Sequence, residues 1–398
     1  MAPELDTSIW RVVGDPLVPA TGDGPLSGLK VAVKDVFAVA GHRLGLGNPT
    51  WLAEQGPQPI SAPAVLALLD AGASITGIAR TDEFAYSLAG QNHHYGSPPN
   101  PAAPGCLSGG STNGPSVAVA LGQVDVGLGT DTAGSLRVPA SYQGLVGIRT
   151  TYRAIPVAGV HPLAPSFDTV GWLTRDAATA RRVADVLLLD RPARSVPVRA
   201  AVVPAVLGWV APDLRKITAS AIDALSSAGV LPPVDRVDLS SREIATWADA
   251  FRIAQAFEVW QGQGSWVESH PGALGPDVGG RFAFARTVSP DDAAAARSLL
   301  EQARRRLRDL LEETVVLIPS TAGPAPALTA GEDLIDDERT ATVRLTHLAT
   351  VAGVPAVSLP VLRMPDGRPV GLCLLGPADT DRDLLSLAEA VTHCLSSI

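Results

Sequence analysis

The chain has 398 residues, 46% of them apolar and 18% charged, with a formal net charge of −9. That composition is typical of a globular protein with a large core, and the negative balance argues against nucleic acid, whose phosphates need a cationic face. Its three cysteines, Cys106, Cys373 and Cys394, form no C-x-x-C pair and no disulfide framework, which favours a reducing compartment.

The N-terminus, MAPELDTSIW, has no basic-then-apolar signal pattern, and no apolar run approaches the length needed to cross a bilayer. The expectation is a soluble, cytoplasmic protein that engages neither membrane nor nucleic acid. Residues 28–37, GLKVAVKDVF, read as a short apolar strand with a lysine near its C-terminal end. A helix over 63–71 and a strand over 73–79 follow, an alternation that points to an α/β sheet. In TDEFAYSLAG, Thr81 or Asp82 is the expected N-cap. Residues 96–112, rich in Gly, Pro and Ser, read as irregular. Next come a buried helix in SVAVALG, a strand in VDVGLGT, a loop from Gly129 to Gly134 and a helix in RVPASYQGL. Beyond residue 150, helices are expected over 174–189, 214–227, 290–313 and 381–395. Strands are expected over 198–203, 315–318, 355–359 and 368–375.

Two loops place a serine among glycines: PGCLSGGSTNG at 104–114 and GLGTDTAGSLR at 127–137. Tight turns alone favour such residues. Phosphate binding is a poor fit, since G-x-x-x-x-G-S-T and G-x-x-x-x-G-S-L lack the P-loop lysine, and neither loop matches G-x-G-x-x-G. The G-x-S-x-G elbow is also absent, although the seven histidines leave a Ser-His-Asp arrangement open. A serine activated by lysine fits better. Only three of the 31 basic residues are lysines, Lys30, Lys34 and Lys216. Arginine stays protonated in proteins, whereas a lysine desolvated in an apolar strand can be neutral enough to act as a base. Lys34 sits in such a strand, VAVKDVF, unless it is an edge lysine that points at water.

Together these segments resemble the amidase signature family. Its glycine pair, serine pair and further glycines, then a buried helix and G-T-D-x-G-G-S-[IL]-R, correspond here to GGSTNGPSVAVALG followed by GTDTAGSLR. Ser135 follows Ser111 by 24 residues, the family's interval, and the upstream lysine falls in VAVKD. ARTDEFAYS, APSFDTVGWLTRD, VLIPSTAGPAP, GVPAVSLP and PVGLCLLGP extend the likeness along nearly the whole chain. The resemblance implies an α/β fold with a large central mixed β-sheet flanked by helices on both faces. It implies one amidase signature domain over 1–398, with a catalytic core over about 25–195 and 315–398 and a variable helical region over about 195–310. It makes Ser135 the nucleophile, Ser111 a bridging serine after a cis Gly110–Ser111 peptide, and Lys34 the base. Backbone N–H groups of Thr132, Ala133, Gly134 and Ser135 would form the oxyanion hole. The segment Phe84–Leu88 would line the acyl side, with Tyr86 and Leu88 as substrate-binding residues. No cofactor or metal is implied; His93 and His94 lack ligand spacing, and Asp131 and Arg137 read as an internal charge pair.

The chain departs from the family pattern at Thr112, Asn113, Pro115 and Ala133, which puts the loop geometry in question. The run TDEFAYSLAG…HYGSPPNP…PSFDTVGW is similar to the compact subgroup that includes indole-3-acetamide hydrolases. That likeness implies a small carboxamide substrate, cleaved to carboxylate and ammonia or amine through a Ser135 acyl-enzyme, and leaves a homodimer as the candidate assembly. The alternatives are hydrolysis of a urea-derived amide of the biuret or allophanate type, the A subunit of a tRNA-dependent amidotransferase, and a non-catalytic binding protein on the same scaffold. A carboxylate substrate such as allophanate needs cationic groups in the pocket, and sequence alone puts no arginine there.

Overall fold

A computed structural model describes residues 6–188 and 199–396. The strands in chain order are β1 (Trp10–Val18), β2 (Lys30–Lys34), β3 (Ser74–Ala79), β4 (Val126–Asp131), β5 (Val146–Arg149), β6 (Thr169–Thr174), β7 (Arg199–Val202), β8 (Val234–Arg236), β9 (Thr314–Pro319), β10 (Ala356–Arg363) and β11 (Pro369–Leu375). The helices are α1 (Pro49–Glu54), α2 (Pro63–Asp70), α3 (Asn113–Ala120), α4 (Arg137–Gln143), α5 (Ala177–Leu187), α6 (Pro212–Ser227), α7 (Ser241–Ser269), α8 (Pro276–Thr287), α9 (Pro290–Leu311), α10 (Glu332–Ala352) and α11 (Asp381–Ser396). Among the described residues no helix is long and apolar enough to cross a membrane.

All eleven strands join one sheet in the order β1-β3-β2-β4-β6-β5-β10-β11-β9-β7-β8. It is mixed: β2 runs parallel to β3 and β4, whereas β4, β6, β5, β10 and β11 pair antiparallel in succession. Side chains alternate across a strand, and β2 displays this directly. Val31 and Val33 enter the larger core with α2 and α5, while Ala32 enters a second core with Val117 and Ala118 of α3 and Ala140 of α4. Helices therefore cover both faces, as the resemblance implies. Lys34, two residues on from Ala32, shares the α3 side.

The expected helices over 63–71, 214–227, 290–313 and 381–395 and the strands near 315, 356 and 369 are present to within a few residues. The outer ends of two further elements, at 189 and 198, lie outside the described residues. Four differences have physical causes. The segment Gly129–Asp131 is strand and not loop, because β6 pairs with β4 through Thr130↔Val170 and Asp131↔Thr169. The 29-residue α7 and the 21-residue α10 carry no clean apolar stripe. Helices α8, α9 and α10 pack around α7 from several sides, so its apolar residues face more than one way. The span 195–310 is not wholly helical, since β7 and β8 within it extend the sheet edge. Finally, Asp82 does not cap the short 3-10 turn Glu83–Ala85 with its side chain, which instead accepts the Gly90 N–H.

Trp172 on β6 is fully buried, and its indole N–H donates to Ala180 O at 3.1 Å, joining the sheet to α5. Trp172→Ala should lower stability by about 3–5 kcal/mol, read as a reduced urea midpoint with an unchanged slope.

Candidate active site

Lys34 ends β2 and is wholly buried, which excludes the reading of an edge lysine in water. Its Nζ donates to Ser111 Oγ at 2.8 Å and to Thr130 Oγ1 of β4 at 2.9 Å. Burial pulls the amine from its usual value down to about 7, against the opposing pull of the Asp82, Asp168 and Asp131 carboxylates.

Ser111 stands just before α3, and the Gly110–Ser111 peptide is cis. The Ser111 carbonyl accepts from Thr81 Oγ1 at 2.8 Å and from the Asp82 N–H at 3.2 Å. Only glycine fits at position 110, because an added Cβ would lie 2.2 Å from Asp82 Oδ2. Asp82 is buried and receives the Gly90 N–H at 3.1 Å, while its Oδ1 has no partner among the described residues. Burial raises its carboxyl to about 7, with the Gly90 N–H and the Lys34 charge pulling the other way.

The second loop turns around Asp131. Its buried carboxylate accepts from Gly134 N–H at 2.9 Å and Leu136 N–H at 3.2 Å, and from Arg137 Nε at 3.0 Å and Nη2 at 2.8 Å. Arg149 adds a contact at 3.3 Å from β5. Burial pushes this carboxyl up, but the Arg137 and Arg149 guanidiniums outweigh it and hold the group well below the usual carboxylate range. The expected charge pair is thus present, with a second arginine added. Arg137 also donates to Thr346 O of α10 at 2.8 Å, and Thr346 Oγ1 donates to Ala133 O at 2.5 Å. Thr132 Oγ1 donates to Asp168 Oδ1 at 2.6 Å, so the loop is tied on both sides.

These ties alter one expectation. The Gly134 N–H is committed to Asp131 and is no free oxyanion donor here. The N–H groups of Thr132, Ala133 and Ser135 have no acceptor among the described residues. The two serine loops meet where Thr112 N–H donates to Ser135 O at 3.2 Å. Among the described residues Ser135 Oγ has no hydrogen-bond partner, and Ser111 Oγ bonds only to Lys34. Gly129 makes room for the Thr112 methyl, since an added Cβ would stand 2.4 Å from it. Ala133 places its methyl in the cavity wall beside Ser135.

That cavity, about 350 Å³, is lined by Ser135, Thr132, Ala133, Tyr86, Leu88, Leu163 and Phe251, together with polar side chains of α7, α8 and α10. Lys34 and Ser111 are not among its lining residues. Tyr86 and Leu88 line it as expected, whereas Phe84 turns away. Phe84 and Ala85 both have left-handed backbone (φ 52° and 56°), an arrangement that costs on the order of 1–3 kcal/mol per residue. The Phe84 ring is held among Trp51, Trp266 and Phe282 at centroid distances of 5.2–5.7 Å, which fixes the turn that aims Tyr86 inward. His94 bonds Glu83 at 2.7 Å, and Glu83 also accepts from Asn48 and from the Gly275 N–H. Asp168, Arg149 and Thr346 escaped the sequence reading, as none sits in a motif with Ser111 or Ser135; Thr130 stands in the Ser135 loop and Asp82 was expected as a helix cap, but neither was given a part in the site.

Asp131→Asn would leave two buried guanidiniums facing an amide. Loss of one partner from a buried ion pair costs about 3–5 kcal/mol, so urea denaturation should show a drop of that size. A change within error of zero would mean that the pair does not hold the loop.

The amidase family model matches residues 18–237. Amidase 1 of Arabidopsis thaliana is 34% identical to the chain, with 96% of this chain and 97% of that protein aligned. Translocon at the outer membrane of chloroplasts 64 of Pisum sativum is 31% identical, over 94% of this chain and 67% of the relative. A solved amidase crystal structure superposes with a TM-score of 0.83 at 28% identity, covering 93% of this chain and 85% of that one. The chain therefore belongs to the amidase family and is a hydrolase of carbon–nitrogen bonds in amides.

Proposed function

We propose that the chain hydrolyses small carboxamides through a Ser135 acyl-enzyme, with Lys34 as base and Ser111 as the proton bridge. The observation that carries this reading is the 2.8 Å bond from a fully buried Lys34 amine to Ser111 Oγ, in a loop whose Thr112 N–H bonds the carbonyl of Ser135 on the cavity wall. An amine lowered to about 7 is substantially neutral near neutral pH and has a lone pair to accept a proton.

Ser135 Oγ attacks the amide carbonyl while its proton passes to Ser111, whose own proton passes to Lys34. The oxyanion accepts from the N–H groups of Ser135, Ala133 and Thr132, and the Asp131–Gly134 bond keeps those groups pointing outward. Collapse of the tetrahedral intermediate breaks the carbon–nitrogen bond, and the relay returns the proton to the departing amine. Water then attacks the acyl-enzyme by the same relay and releases the carboxylate. Likeness to indole-3-acetamide hydrolases would set an apolar or aromatic acyl group against Tyr86, Leu88 and Phe251, within a volume suited to a small ligand. The cysteines are free, in keeping with a cytoplasmic location.

A fluorophosphonate should add once to the intact protein, and Ser135→Ala should abolish the adduct. Labelling that survives in Ser135→Ala would overturn the assignment of the nucleophile. The labelling rate should rise with pH around about 7, as Lys34 loses its proton. Asp82→Asn removes a negative charge that favours the protonated amine, so it should move that midpoint to lower pH. An unmoved or raised midpoint would contradict the electrostatic link between the two groups.

A further inference from the structure

The helices that close the cavity bring arginines to it from three directions. Arg252 comes from α7, Arg281 from α8, and Arg339 and Arg344 from α10. One carboxylate, Asp249, lines the same wall. Arg281 is held by Asp277 at 2.9 Å and Arg339 by Asp336 at 3.0 Å, which orients both guanidiniums. Arg252 and Arg344 have no ion pair among the described residues. Their guanidiniums lie over the rings of Phe284 and Trp209, at 4.2 and 5.0 Å from the centroids. An aromatic face leaves the outward N–H groups of a guanidinium available to an anion.

Burial pushes the Tyr86 hydroxyl up to about 12, and the charges of Arg281, Arg339 and Arg252, which line the same cavity, oppose that shift. Leu88, Leu163 and Phe251 give the same cavity an apolar lining, and Ser135 lines it too. A cleft with low-dielectric walls and one sign of charge concentrates ligands of the opposite sign. A neutral amide such as a simple arylacetamide makes no use of that arrangement.

We propose that the substrate is an amide whose acyl part carries a carboxylate at its far end, with Arg252 and Arg344 as the specificity-determining pair that receives it. The monoamide of a dicarboxylic acid, with an aliphatic or aryl stem, is the chemical class that fits. Guanidinium and carboxylate match as two parallel charge-assisted hydrogen bonds, while the apolar stem crosses to the Ser135 end. The inference rests on Ser135 as the nucleophile, but its test is separate from that assignment.

The test compares matched pairs on the full chain: glutaramic acid against valeramide, and 4-carboxyphenylacetamide against 4-methylphenylacetamide. The carboxylated member should have the higher kcat/KM by at least about tenfold, the scale of one hydrogen bond to a charged group. In an Arg252→Gln/Arg344→Gln double variant the ratio should fall towards one, and added salt should reduce it in the unaltered protein. Protection of Ser135 from a fluorophosphonate by glutarate against butyrate gives the same comparison without turnover. Equal or better use of the neutral amides overturns the proposal, as does a preference that persists in the double variant or equal protection by the two acids. None of those results bears on whether Ser135 is labelled, which decides the nucleophile independently.

Discussion

The Asp131 carboxylate is the fixed point of this molecule. It lies at the end of β4 in the protein interior, where an anion is tolerated only with close countercharge. Arg137 and Arg149 supply that charge from α4 and β5, and the N–H groups of Gly134 and Leu136 complete its hydrogen bonding. One side chain thereby binds a central strand, a glycine-containing loop, the following helix and β5, two places along the sheet. Through Arg137 and Thr346 the same network reaches α10 on the far side of the cavity. A loop of small residues has little conformational preference of its own. Its shape beside Ser135 is set by the need to satisfy a buried charge.

Lys34 follows a different balance. Asp131 has its countercharge in contact, but the amine of Lys34 has only hydroxyl partners, Ser111 and Thr130. The carboxylates that favour its charged form act from further off and only partly offset desolvation, which leaves the group near neutrality. Strand alternation delivers it: Val31 and Val33 face the large core, and Ala32 and Lys34 face α3. The same sheet therefore stabilises the fold on one face and strips water from the base on the other. No histidine enters the arrangement.

Ser111, Ser135 and Lys34 stood out in the sequence as serines among glycines and a scarce lysine in an apolar strand, and the resemblance to the amidase signature family joined them into one site. Much of the sheet was legible too, since its strands are brief apolar runs. What escaped depends on contacts between distant segments. Asp131 looked like loop because β6, its pairing partner, lies some forty residues further on. The N–H of Gly134 looked free until the Asp131 side chain folded back on it. Helices α7 and α10 were missed because several neighbours cover them and blur their periodicity. Those two helices carry Arg252, Arg339 and Arg344, so the charge of the cavity stayed hidden although every arginine was in plain view.

The protonation state of the Lys34 amine is open to direct measurement, because lysine is so scarce in this chain. The chain has only three lysines, and Lys30 and Lys216 are exposed. Side-chain isotope labelling of lysine followed by an NMR pH titration should therefore yield three resonances, with Lys34→Met identifying one of them. This resonance should titrate at about 7, far below the ordinary lysine value of 10.5. A Lys34 signal that remains protonated up to that ordinary value would contradict the reading of Lys34 as the base.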